Sequence, residues 1–220
     1  MLNIYTRYFA STKTQSDDFV GQLGLGSKSP FSYTNQFTVA SRHGGLSTTY
    51  DMSIDETGTP RAVKQWQGPC QGTGLSVRFT VRHDFQRWHD KAMEVLQWFT
   101  HMPIITDGAN SFHPGDGTEP MYQGDDWTIY PDQFWNGNRL GALMGGVLYP
   151  VDLHSIPNLD TNSIAKNLHY TPCVLRFDIG ELDVAASREG LSYDARTCAN
   201  IIAKLDKVMS DLEAQMQASI

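Results

Sequence analysis

Between Gly21 and Ser29 the chain reads GQLGLGSKS, with glycines at 21, 24 and 26 and Lys28 set between Ser27 and Ser29. Unobstructed backbone N–H groups beside a lysine are the materials of a phosphate cradle. Two phosphate loops can be tested by spacing. A Walker loop needs G-x-x-x-x-G-K-S/T; Gly21 and Gly26 fit, but Ser27 stands before Lys28 and no clear hydrophobic strand precedes the segment. The dinucleotide pattern G-x-G-x-x-G starts at Gly24 and Gly26 and fails at Ser29. A tight turn therefore stays open beside a phosphate loop of another kind, since glycine is the default wherever φ is positive.

Other chemistry-bearing residues are scattered. The seven histidines (His43, His83, His89, His101, His113, His154 and His169) show no metal spacing. His83 and His89 are six apart, on different faces of a helix, where a zinc pair would need i, i+4. The three cysteines, Cys70, Cys173 and Cys198, are odd in number and form no C-x-x-C pair, which suits reduced thiols packed as small apolar groups. Arg188, between Ser187 and Glu189, has a plain reading as a solvated first-turn residue of a helix capped by Ser187.

The elements that must position these residues are legible as changes of period. Residues 2–9 carry Leu2, Ile4, Tyr5, Tyr8 and Phe9, spaced for a short amphipathic helix. Alternating segments at 36–42, 47–54, 61–67 and 75–82, separated by Gly- and Pro-containing turns, predict an antiparallel meander. Phe85, Trp88, Ala92, Val95, Leu96 and Phe99 predict an amphipathic helix over 84–101, ended by Pro103. Trp88, Trp98 and Phe99 are expected in a core. A Gly/Pro/Asp-rich loop fills 106–125. Strands follow at 126–131, 142–150 and 173–180. A helix over about 194–218 places Cys198, Ile201, Ile202, Leu205, Val208, Met209, Leu212 and Met216 on one face. The aromatics Trp127, Tyr130, Phe134 and Trp135 fit either core packing or a partner surface. The seam between two domains falls near 82–84.

The 220 residues have 40% hydrophobic content, enough to bury a core, and a net charge of −7 that argues against sequence-independent nucleic-acid binding. No apolar run approaches the roughly 20 residues of a spanning helix, and the start lacks a signal-peptide pattern, so the cytoplasm is the expected location.

The segment STKTQSDDFVGQLGLGSKSPFSYTNQFTVAS, Ser11 to Ser41, resembles the ATP lid and second glycine box of the GHKL ATPases: gyrase-type topoisomerases, ninety-kilodalton heat-shock chaperones, MutL and histidine kinases. It looks most like the rIIA-type proteins of tailed bacteriophages. The likeness continues through Leu143-Met144-Gly145-Gly146-Val147 and IGELDVAASREGLSYD, Ile179 to Asp194, and covers about Leu2 to Leu205. It implies an α/β fold: a partial GHKL antiparallel or mixed sheet with helices over 1–82, then a smaller transducer-like α/β domain over 83–220.

The resemblance also implies roles. Backbone amides around Gly21, Gly24, Leu25, Gly26, Ser27, Lys28 and Ser29 would cap the phosphates of ATP. Lys28 would add a point charge, and Thr73 would sit near the adenine. Ser11, Thr12 and Lys13 would belong to the lid. Arg188 would reach a terminal phosphate as a phosphate sensor, a recognised use of a planar cation. The family also uses a Glu general base and a magnesium-holding Asn on one helix, and an Asp-x-Gly-x-Gly turn that reads adenine. Both lie upstream of the glycine box, and nothing before Gly21 resembles them. ATP and magnesium are thus implied by the family, with weak or no binding expected of this chain. No metal ligands can be placed.

The resemblance then implies a phage protein in the cytoplasm of the infected bacterial host, working by contact with a host or anti-phage defence component. Homo-oligomerisation or a tight partner, through apolar surface near Ile4, Tyr5, Tyr8 and Phe9, is the accompanying expectation. An ATPase, or a nucleotide-sensing module, whose other half comes from another chain is the alternative.

Overall fold

The computed structural model describes residues 26–99, 101, 103–107, 110–112, 119–131, 139–157, 159, 171–185 and 190–218. The chain divides into two units, Met1–Phe85 and Gln86–Ile220. The helix expected at 2–9, the lid residues Ser11, Thr12 and Lys13, the first loop residues Gly21, Gly24 and Leu25, and Ser187, Arg188, Phe134 and Trp135 lie outside the described residues.

The first unit holds a four-stranded antiparallel sheet of β1 (Gln36–His43), β2 (Leu46–Ile54), β3 (Pro60–Pro69) and β4 (Gly74–Arg78), in the order β3-β2-β1-β4. Three strands make the expected meander, but β4 does not continue it. It pairs with β1, Val39 opposite Val77, which gives the spatial order of a Greek key. The connection 70–73 passes the end of the β1–β2 hairpin, where the Cys70 N–H donates to the Gly45 carbonyl at 2.9 Å. That hairpin turns on Gly44 and Gly45, both with φ positive, as a two-residue primed turn requires. The β2–β3 register shifts at Thr49/Tyr50: Trp66 faces Thr49 while Lys64 faces Tyr50, so Gln65 is the extra residue of a bulge.

One face of this sheet buries Phe37, Val39 and Met52, with Phe31, Tyr50, Ala62 and Phe79 packed around them. The strand expected over 75–82 stops at Arg78 because Phe79 turns into this cluster beside Tyr33, and the Arg82 N–H donates to the Tyr33 hydroxyl at 3.1 Å.

Helix α1 (Phe85–Leu96), which belongs to the second unit from Gln86 on, is shorter than the predicted 84–101. The Gln97 side-chain amide donates to the Glu94 carbonyl at 2.9 Å and takes up an acceptor of the last turn. The segment 106–125 is not all loop: β5 (Ile105–Asp107) pairs with β6 (Asn110–Phe112), and β7 (Tyr122–Gln123) joins a larger sheet. That sheet contains β8 (Trp127–Ile129), β9 (Leu140–Met144), β10 (Val147–Pro150) and β11 (Cys173–Phe177), in the order β10-β9-β11-β8-β7. Of its pairs, β9–β11 is parallel and the others are antiparallel. The single strand expected at 142–150 is a hairpin, since Gly145 and Gly146, φ +61° and +80°, turn the chain back on itself.

Helix α2 (Ala195–Ala218) covers this sheet. Its buried residues Thr197, Cys198, Ile201, Leu205 and Val208 follow the three- and four-residue spacing of one helical face. The apolar members of that face pack in one cluster with Trp127, Leu140, Ala142, Val151 and Leu175. Cys173 and Cys198 are core residues and Cys70 is half-buried; burial pushes the Cys173 thiol up to about 12. Trp127 is a core residue, and Trp98 is half-buried with its ring edge-on to Tyr130. Trp88 and Phe99, expected in a core, are exposed.

Candidate functional site

The described part of the glycine loop is the opening of a 3-10 helix, Gly26–Ser32. Two hydroxyls hold it. Ser29 Oγ donates to the Gly26 carbonyl at 2.8 Å and Ser32 Oγ to the Ser29 carbonyl at 2.7 Å. Pro30 offers no N–H, and its carbonyl accepts from the Tyr33 and Thr34 N–H groups at 3.1 and 2.9 Å, which ends the helix. Phe31 anchors the segment edge-on against Phe37, with ring centroids 4.7 Å apart.

Within it Gly26 and Ser29 are exposed, Ser27 is half-buried and Lys28 is buried at 4% exposure. Desolvation holds the Lys28 amine below the ordinary lysine value. The Lys28 side chain, expected to add a point charge, is thus largely removed from water. Among the described residues, a methyl group added at Gly26 would meet no heavy atom within 4 Å. Thr73 is exposed in the β3–β4 connection, beside Gly74, which pairs with Arg42. Arg42 is five residues along β1 from Phe37, about 17 Å at strand spacing. Thr73 and the Phe31 anchor thus stand toward opposite ends of that strand.

In the second unit the segment after β11 is tied to the start of α2. Asp194 caps the helix: its carboxylate accepts from the Thr197 N–H at 2.9 Å, and this bond above all holds the carboxyl below its usual range. Asp183 is held twice. Its N–H donates to Thr197 Oγ1 at 2.9 Å, and its carboxylate accepts from Arg196 Nε and an Arg196 terminal nitrogen at 3.1 and 2.6 Å. The Ser192 N–H returns to the Asp183 carbonyl at 2.7 Å, Val184 bridges Leu191, and the Ala185 N–H donates to the Gly190 carbonyl at 2.9 Å. The residues flanking 186–189 on both sides are therefore fixed to the first turn of α2.

A charge group that sequence reading missed lies along the same helix. Asp126 accepts from Lys204 at 2.7 Å and Lys207 at 3.0 Å. Burial alone would raise the Asp126 carboxyl; the two lysines outweigh it and hold it below its usual range. Trp127 Nε1 donates to Asp211 at 2.9 Å. These bonds dock α2 on β8, and their one sequence signal was the i, i+3 spacing of the lysines. Among the described residues no three His, Cys, Asp or Glu side chains gather as a metal-binding group. Among them, too, no helix is long and apolar enough to cross a membrane.

No protein-family model matches the chain, and no curated protein does. Solved structures do. The fold is similar to the ATPase region of Saccharomyces cerevisiae topoisomerase II, solved bound to ICRF-187 (dexrazoxane), at 10% identity and a TM-score of 0.52, over 98% of this chain and 70% of that one. It is also similar to the B-subunit of DNA gyrase from Myxococcus xanthus, at 11% identity and a TM-score of 0.50, over 96% of this chain and 76% of that one. The mixed α/β fold implied by the resemblance is the fold of this chain, and it is shared with both of these structures at low identity.

Proposed function

We propose that this chain is a GHKL-type lid-and-transducer module of the phage rIIA kind, which acts by contact with a host or anti-phage defence protein and does not turn over ATP alone. The observation that carries the GHKL part is the likeness to the topoisomerase ATPase region over 98% of the chain. The rIIA part rests on the residues of the lid, the glycine box and SREGLSYD. The buried Lys28 supports the contact reading, because a cation withdrawn from water is poorly placed to meet a phosphate without rearrangement.

The experiment is phosphate release by the purified chain with magnesium and ATP, beside titration with a non-hydrolysable ATP analogue. Neither turnover nor saturable heat is expected. Turnover that disappears in Lys28→Ala and Arg188→Ala would overturn the contact reading. A second reading, a nucleotide-sensing module completed by another chain, rests on the glycine-box residues themselves, Gly26 to Ser29 among them. It predicts saturable analogue binding without turnover.

A further inference from the structure

The first sheet has a second face, opposite the one that buries Phe37, Val39 and Met52. Alternation and register put Trp66, Thr49, Ala40 and Ser76 in one row across all four strands of that face. Thr49, Ala40 and Ser76 are small and half-buried, whereas Trp66 at the end of the row is 54% exposed. A methyl group added at Gly68 would overlap the Trp66 ring, so the indole lies across that glycine. Arg42 and Arg78 are each two residues from the row, on β1 and β4. Because those strands are antiparallel, the two arginines flank the row on opposite sides. Both are exposed, and among the described residues neither is in an ion pair. The other charges of the face are engaged: Arg61 with Asp55 at 2.7 Å, and Asp51 with Thr38 Oγ1 at 3.3 Å.

We propose that this face is a platform for single-stranded nucleic acid, with a base stacked on Trp66 and phosphates of the strand on Arg42 and Arg78. An exposed ring beside unpaired cations serves both parts of a nucleotide, and stacking tolerates any sequence because every base has a π-face. The small side chains of the row let a strand lie close to the sheet. A duplex keeps its base faces stacked inside, so it cannot use the ring. The charge is distributed to suit. Met1–Phe85 holds eight Lys and Arg against six Asp and Glu, net +2, while Gln86–Ile220 holds nine against eighteen, net −9. The acidity that argues against nucleic-acid binding thus belongs to the second unit. This site is independent of the proposed function.

Fluorescence anisotropy of a labelled oligothymidylate of about 8 nucleotides, a length within the range of a stacking groove, tests it on the full chain at low salt. Protein from about 1 to about 300 µM spans the affinities of sequence-independent binding. Saturable binding is expected, with a log–log salt slope of about −1.4 for two phosphate contacts. Trp66→Ala should weaken it about 10-fold and Trp66→Phe much less, as a stacking role requires. Arg42→Ala and Arg78→Ala should each bring the slope to about −0.7. Circular dichroism checks that the variants fold. No binding at the highest concentration, or binding unchanged in the three alanine variants, would overturn the proposal. So would a duplex of the same length, or a glutamate octapeptide, bound as tightly as the single strand; the peptide result would mark the face as a protein-docking surface.

Discussion

Ile201 has no exposed surface and sits on the face of α2 that covers the second sheet. Ile201→Ala removes three carbons. At about 0.8 kcal/mol per buried methylene the transfer loss is about 2.4 kcal/mol. A residual cavity of roughly 75 Å³, at about 24 cal/mol per Å³, adds about 1.8 kcal/mol. The sum is about 4 kcal/mol, inside the range for such truncations. The unit Gln86–Ile220 has 220 − 85 = 135 residues. At about 2.1 cal/mol/K per residue its unfolding entropy is roughly 0.28 kcal/mol/K, so the midpoint should fall by about 15 °C.

Calorimetry with native-state amide exchange measures this region by region. Amides of β8, β9, β11 and α2 should lose about 4 kcal/mol of protection. Those of β1 and β2, whose cluster of Phe37, Val39 and Met52 shares no residue with the Ile201 cluster, should keep theirs. An equal loss in both sets would refute separate cores. A loss below about 1 kcal/mol would refute the packing assigned to α2.

Three further outcomes follow from local geometry. Because burial lowers the Lys28 pKa, the unfolded chain binds more protons between the folded value and the ordinary lysine value of about 10.4; stability should rise with pH through that window, and Lys28→Met should flatten the rise in urea melts. Thr197→Val leaves the Asp183 N–H without its acceptor, which should cost about 1–3 kcal/mol and speed exchange of the Ala185 and Ser192 amides. Gly146→Ala forces a side chain to φ +80°, and the methyl would meet the Phe99 ring at an ordinary 3.7 Å; a loss of about 1 kcal/mol in thermal melts is expected from backbone strain without a clash.

The elements that sequence reading located are those whose signal is local. Alternation over 36–54 and the apolar face of α2 each state a period, and period is enough to name an element. Pairing is not local. Nothing in GLSVR says that β4 leaves β3 and returns beside β1; that follows from a connection which must cross a hairpin end. The 142–150 run hid a hairpin because the two glycines sit inside continuous apolar sequence, where hydrophobicity masks the turn.

The same division governs the candidate site. Lysine is read as a surface charge by default, and nothing in the spacing of the glycine loop signals that Lys28 is buried. Conversely, the stripe of α1 has the period of a buried face, yet Phe85, Trp88 and Val95 stay exposed. A helical period specifies that a face is apolar without specifying whose surface will cover it. Burial of Lys28 and exposure of a predicted core face therefore have one kind of cause: each depends on a neighbouring surface that spacing cannot encode.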